Sequence, residues 1–334
     1  MINIKKKFIS YLIVAAVSLL FLNIVVDLFS KKKTKPDSRE LSRVEVENIF
    51  WQVLDSYGVK AQWMVKKKYK DANEDSIKSQ FFVSIPADIP IPLILKDINN
   101  IIEKDITAFV SEEKKIFGTT EVRVYTNELL KLKATLTPDK NLIRKKNDFT
   151  FVISNAMDLS DRKYTDFLQI NFPVACSVVP DPDLIIKADS LSQYSKNYVI
   201  LLNDNLSDPK MKLVQEYQKE LLRSSIKNIL TSFPKTKAVV VDEKSKLYNS
   251  PIYNFVCDEV KRRNYPVIPL SEFIDLETEE NNELLSKFKF HAEDTVTSRS
   301  KVFYLPLENF VKVMPLIEKY KKQGNRILPF SSKN

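Results

Sequence analysis

The chain has 334 residues, with 52 Lys and Arg against 43 Asp and Glu, 44% hydrophobic residues, three Gly, two Cys and one His. Its length suggests two domains, and its apolar and aromatic content supports packed cores, which excludes global disorder. One imidazole, His291, cannot build a two- or three-His metal site within a single chain, and Gly58, Gly118 and Gly324 lie too far apart for a GxGxxG or Walker loop. Cys176 and Cys257 stand 81 positions apart, which is neither a disulfide framework nor a zinc ribbon.

The net charge of +9 is unevenly placed. Residues 1–35 carry seven Lys and one acid, and the remaining 299 residues are nearly balanced at +3. The excess flanks an apolar segment, so the sequence predicts no nucleic-acid partner. Phe8–Val26 is 19 residues without a formal charge, about 28 Å as a helix, which matches a bilayer's hydrocarbon core. No A-x-A-like site follows the run, so residues 8–29 read as an uncleaved anchor and 30–40 as a polar juxtamembrane linker. Three Lys precede the span and four follow it, so charge does not orient it. A short tail before a large body is compatible with export, and an extracytoplasmic body is expected.

Residues 41–138 read as a small α+β domain. Leu41–Tyr57 has helical spacing and ends at Gly58; Val59–Val65 and Gln80–Ile85 read as strands. Pro92–Lys104 reads as a helix with Ile94, Leu95, Ile98, Ile101 and Ile102 as its buried stripe. Ile106–Val110, Glu121–Tyr125 and Leu129–Leu136 are strands. Trp51 and Trp63 read as core residues rather than sugar platforms. Residues 139–147 form a charged break. Beyond it, apolar runs at Phe149–Ile153, Val174–Val179, Tyr198–Leu202, Ala238–Val241, Val267–Leu270, Val302–Leu305 and Arg326–Leu328 alternate with helices. Those helices are read at Pro209–Leu230, from Ser250-Pro251 to Arg263, and at Leu307–Gln323. Seven strands in this rhythm imply a parallel sheet, open or closed into a barrel.

The segments DFTFVISNAMD (148–158), FLQINFPVACSVVP (167–180), YVILLND (198–204), SFPKTKAVVVDEKS (232–245) and LPLENFVKVMPLIEKYKKQGNRILPFSS (305–332) occur here in order. Together they resemble the divergent polysaccharide deacetylase family. The resemblance implies an irregular seven-stranded (β/α) barrel over 148–332 and a link to glycan metabolism in the cell envelope. It also implies where a metal and catalytic groups would stand. At those places this chain has Ser154 and Asn155 for an Asp-Asp pair, Asn203 for a His, and Asp242 to Leu247 for an Asn-Asn-His-Met-Gly-Ser type motif. The fifth strand's usual Asp-Ser falls near Pro269 and Leu270. No metal ligand or catalytic residue carries over, and no metal or cofactor is expected.

A cation that polarises a carbonyl and acidifies water needs several anionic or imidazole donors, which Asn and Lys244 do not supply. The expectation is therefore a catalytically degenerate barrel that binds a cell-envelope glycan or an envelope protein. Its candidate binding residues are Asn155, Asn203, Asp204, Asp242 and Glu243. The alternative is an active carbohydrate hydrolase or deacetylase using Asp204, Asp242 and Glu243 as carboxylates; a second alternative is an envelope scaffold. Asp158, Asp181 and Asp183 also follow strands, and acids at such places more often cap helices or solvate loops. His291 is expected to be packed or exposed away from the strand ends, and both Cys to be buried thiols.

The anchor generates a first test. The full chain should sediment with membranes, and deletion of residues 1–35 should release the remainder into the soluble fraction. Recovery of the full chain as soluble protein with a processed N-terminus contradicts the assignment.

Overall fold

A computed structural model of the protein describes residues 40–69, 77–114, 116, 118–144, 146–294 and 300–331. The expected anchor over 8–29 and all but the last residue of the linker 30–40 lie outside the described residues. No helix among the described residues is long and apolar enough to cross a membrane. The chain divides into two compact units. One takes the described residues up to Trp51 with Met64–Val83 and Ile91–Thr137; the other takes Gln52–Trp63, Ser84–Pro90 and the chain from Pro138.

Helix α1 (Arg43–Ser56), whose residues up to Trp51 belong to the smaller unit, starts at a capping box. The Ser42 backbone N–H donates to Glu45 (2.9 Å) and the Glu45 N–H to the Ser42 hydroxyl (3.4 Å), which satisfies donors that the first turn leaves open. Strands β1 (Met64–Lys68), β2 (Ser79–Pro86), β3 (Ala108–Glu113), β4 (Thr120–Thr126) and β5 (Leu129–Asp139) form a sheet in the order β1-β2-β5-β4-β3. The β4–β5 hairpin turns through Asn127 and Glu128, both with positive φ (47° and 66°), the conformation that a tight hairpin favours. Helix α2 (Ile91–Ile102) buries Ile91, Ile94, Ile98 and Ile102; Ile101, expected in that stripe, is exposed. Trp51 packs edge-on against Phe81, ring centres 5.9 Å apart. The first strand begins at Met64 rather than Val59, because residues 61–63 form a 3-10 turn.

The larger unit is α/β. Its strands are β6 (Asp148–Ile153), β7 (Ala175–Val178), β8 (Asn197–Leu202), β9 (Val239–Val241), β10 (Val267–Pro269), β11 (Ile274–Asp275), β12 (Lys301–Leu305) and β13 (Arg326–Ile327). They pair in parallel in the order β10-β9-β8-β7-β6-β12-β11. β13 and β7 take successive stretches of one edge of β6, at Asp148–Phe149 and Val152–Ile153, while β12 takes the other edge. Near-continuous burial along β6, β7 and β8 is what a parallel sheet covered on both faces requires. One face packs against helices α3 (Asp161–Leu168), α4 (Ile185–Ser190), α5 (Lys219–Ser232), α6 (Tyr253–Lys261), α7 (Asn281–Glu293) and α8 (Leu307–Lys322). The other carries a second apolar cluster of Val152, Ala175, Val199, Leu201, Ala238 and Val240, covered by Phe273, Tyr304 and Phe330.

Three expectations need correction. The expected barrel is not closed by hydrogen bonds: the path ends at β10 and β11, joined through a short 3-10 turn, Leu270–Glu272. The helix expected over 209–230 begins at Lys219. Upstream of it, the Asp208 carboxylate accepts the Lys210 N–H (2.9 Å) and Asn228 donates to the Lys210 carbonyl (3.1 Å). A side chain that takes backbone donors locally competes with helix formation. Ser250-Pro251 lies in a turn, with the Ser250 hydroxyl donating to the Leu247 carbonyl (2.6 Å), and α6 starts two residues later.

Tyr198 in β8 is 2% exposed. Burial pushes its phenol up to about 12, against the smaller opposing effect of the Lys235 N–H that donates to its oxygen (3.2 Å). An unfolded tyrosine loses its proton near ~10, so above that pH the native state binds more protons than the unfolded chain, and stability falls as pH rises toward 12. The urea midpoint should therefore drop between pH 9 and pH 11, and Tyr198→Phe should reduce that drop. An equal drop in the variant would show that Tyr198 is not a source of it.

Candidate functional site

The carboxyl ends of the parallel strands gather the residues singled out by sequence, and each has a definite partner. Asn155 follows β6. Its Oδ1 accepts the Leu307 N–H (2.9 Å) and its Nδ2 donates to Glu308 (3.0 Å). These bonds satisfy and orient the first turn of α8, where backbone donors lack intrahelical partners. Glu308 also meets Lys163 (3.0 Å). Its carboxyl is held below the usual range, first by its own backbone N–H and then by Asn155 and Lys163. Ser154 donates its N–H to the Leu305 carbonyl (2.9 Å) and accepts the Ser177 hydroxyl at its carbonyl (3.1 Å).

After β8, Asn203 Oδ1 accepts the Asn205 N–H (3.0 Å), a side-chain-closed turn. Asp204 reaches across to accept the Lys246 N–H (2.8 Å) and so ties the loop after β8 to the loop after β9. Asp242 closes its own turn, accepting the Lys244 N–H at Oδ1 (2.9 Å) and the Ser245 hydroxyl at its carbonyl (2.6 Å). Glu243 accepts the Ser271 N–H (3.1 and 3.2 Å) and the Ser271 hydroxyl. It thus clamps the turn between β10 and β11. Burial raises its pKa, but the Ser271 hydroxyl and the N–H groups of Glu243, Ser271 and Leu270 outweigh that and hold the carboxyl below its usual range. A general acid for glycoside cleavage needs the opposite shift.

A cleft of about 590 Å³ opens beside Asn203 and Asp204. Lys212, Gln215 and Glu216 form one wall, Lys246 and Asn249 another, with Leu206, Leu213 and Leu247 as apolar lining. Its size suits a small-molecule or short-oligomer ligand. Two of the five expected binding residues line it; Asn155, Asp242 and Glu243 do not. Lys212, Gln215, Glu216, Lys246 and Asn249 were not singled out by sequence, because residues 209–230 read as one helix with these side chains on its solvent face or in a following loop. Asp208-Pro209, a turn-initiating pair, was the available signal.

The metal implied by the family resemblance does not fit these residues. Asn155 and Asn203 turn their oxygens to backbone N–H groups, Lys244 places an exposed ammonium after β9, and no three His, Cys, Asp or Glu side chains gather among the described residues. His291 lies near the end of α7, its carbonyl accepting the ammonium of Lys301, the first residue of β12. It therefore sits toward the amino end of the sheet, away from the cleft. Burial, then Lys301 and Lys287, lowers its pKa. Cys176 and Cys257 are free and buried, and burial pushes both thiols up, away from thiolate chemistry.

No family model matches this chain, and no curated protein does. Solved structures similar to it include two proteins. One is a CE4 family pseudoenzyme from Bacillus anthracis, 11% identical, covering 68% of this chain and 91% of that one, with a TM-score of 0.38. The other is an uncharacterized protein from Agrobacterium tumefaciens C58, 10% identical, covering 55% of this chain and 87% of that one, with a TM-score of 0.34. Likeness at this level leaves the chemistry to be argued from the residues.

The clamp on Ser271 separates a structural Glu243 from a catalytic one. Glu243→Gln should lower unfolding stability by about 1 kcal/mol at neutral pH. Because the native carboxyl titrates below its unfolded value of ~4.3, its contribution is present above that pH and is lost as pH falls through the native value. Denaturant titrations should therefore show the variant and wild type converging between pH 7 and pH 3. Equal stability at pH 7 would mean the clamp holds nothing.

Proposed function

We propose that the larger unit is a non-catalytic module, similar in fold to polysaccharide deacetylases, that binds a hydroxyl-rich glycan of the cell envelope at the cleft beside Asn203 and Asp204. The observation that carries the reading is where the strand-end polar groups go. Asn155, Asp204, Asp242 and Glu243 each accept backbone N–H groups and fix a loop or helix start, an arrangement that shapes a rigid rim and leaves no convergent donor set for a cation. Amides, lysines and acids around an apolar lining supply both the donors and the acceptors that sugar hydroxyls need. The N-terminal apolar segment would hold this module at a membrane surface, with the cleft on the extracytoplasmic side.

A second reading, an envelope scaffold, is favoured by one feature. Phe273, Tyr304 and Phe330 fill the inner face of the sheet, and among the described residues no aromatic side chain lines the cleft to stack on a sugar ring. Full-length protein in detergent, incubated with acetylated envelope glycans and zinc, distinguishes the readings. The expected result is binding without acetate release, weakened severalfold by Asn203→Ala and unaffected by Asn155→Ala, which should only cost about 1 kcal/mol of stability. Acetate release that Asp204→Asn or Glu243→Gln abolishes would instead establish a hydrolase. Absence of any glycan binding would favour the scaffold.

A further inference from the structure

We propose that the open face of the five-stranded sheet in the smaller unit docks on an anionic lipid bilayer; this rests on the reading that residues 8–29 anchor the chain in that bilayer. The sheet has two unlike faces. Phe81, Val83, Val122, Val124 and Leu132 are at most 2% exposed and belong to the face that α1 covers, where Phe50 meets Phe81 at 5.9 Å. Strand alternation sends their neighbours to the other face, and these are half-buried or exposed. Register places Val65 beside Phe82, Lys67 beside Gln80 and Lys133 beside Arg123 there. Among the described residues that face and its strand extensions carry Lys67, Lys78, Lys114, Arg123 and Lys133 against Glu112 and Glu121, an excess of three cations. Both carboxylates are already engaged, Glu121 by Arg123 and, at 3.9 Å, by Lys133, and Glu112 by Lys114 at 2.6 Å. Lys67 and Lys78 have no carboxylate partner among the described residues. Lys67 lies over the Phe82 ring at 4.8 Å and Lys133 over Tyr69 at 5.3 Å. Half-buried rings under long cationic stems suit the headgroup boundary of a bilayer, where rings sit at headgroup level and ammoniums reach the phosphates. The tether is short enough to bring them there. The chain enters the unit at Glu40, 4.0 Å from Lys131 of β5, and residues 30–40 span no more than about 40 Å when extended. An anionic surface attracts each nearby lysine enough to shift binding about fivefold.

Val65, 54% exposed on the open face, is the place for a reporter, because Cys176 and Cys257 are buried. Full-length Val65→Cys protein carrying an environment-sensitive fluorophore is placed in nanodiscs of phosphatidylcholine, with or without added phosphatidylglycerol. At low ionic strength, lipid spin-labelled at the headgroup should quench the fluorophore in the anionic discs and not in the neutral ones, and salt should weaken the contact. Lys67→Gln with Lys78→Gln should reduce the docked population about 25-fold, as two fivefold losses give. Lys67→Arg with Lys78→Arg should keep it. Lys66→Gln with Lys68→Gln removes the same charge from the opposite face of β1 and should reduce docking far less. Equal quenching in the two discs, quenching in neither, or equal losses in the two Gln pairs overturns the docking face and leaves the anchor standing. Protein that does not enter the discs overturns the anchor, and the docking with it. A response to soluble polyphosphate in neutral discs that exceeds the response to anionic discs assigns the face to a polyanion and overturns the lipid assignment.

Discussion

A parallel sheet that curls without closing leaves an inner face that water cannot be allowed to wet. In this protein the strands β6 to β9 present small aliphatic side chains to that face, and their area is too great to stand uncovered. Phe273 comes from the connection between the two end strands, Tyr304 from β12, and Phe330 from the chain beyond β13. Their rings form a row, Phe330 to Phe273 at 5.8 Å and Phe273 to Tyr304 at 6.5 Å. Truncating a buried Phe typically costs about 3–5 kcal/mol, against a net domain stability of about 5–15 kcal/mol. The covering row is thus a condition for the sheet to exist in this open form. It also fixes where a ligand can go. The interior is occupied, and the cleft beside Asn203 lies to one side, between the loops that follow β8 and β9.

The same condition explains the acids at the strand ends. An open sheet whose end strands share no ladder needs other bonds to hold its loops in register. Glu243 supplies one by gripping the β10–β11 turn, and Asp204 supplies another by joining two neighbouring loops. Carboxylates and amides can serve a reaction or a backbone, and the sequence shows only that they follow strands. Here the geometry assigns most of them to the backbone.

The strands were legible because burial on both faces leaves uninterrupted apolar runs such as Phe149–Ile153 and Tyr198–Leu202. The short β11 was not, since two residues carry no periodicity. The stretch from Pro209 to Gln218 was misread because Leu213 and Tyr217 continue the spacing of a true helix by chance. In the structure Leu221, the next position in that spacing, is exposed and Leu222 is buried in its place. That error hid Lys212, Gln215 and Glu216, one wall of the cleft. Asn155 was correctly placed at a strand end, but its bond to Leu307, 152 positions away, is a tertiary fact that no local pattern encodes.

That separation has a kinetic side. β6 is the first strand of the larger unit to leave the ribosome, yet β12 and β13 arrive about 150 to 178 positions later. Only β7 can pair with it early, and only over Val152 and Ile153. Contacts this distant must overcome loop-closure entropy before they stabilise anything, so the unit belongs among slow, high-contact-order folders. Until the late strands dock, β6 exposes an unpaired apolar edge, and a nascent chain in that state is a substrate for chaperones or for aggregation.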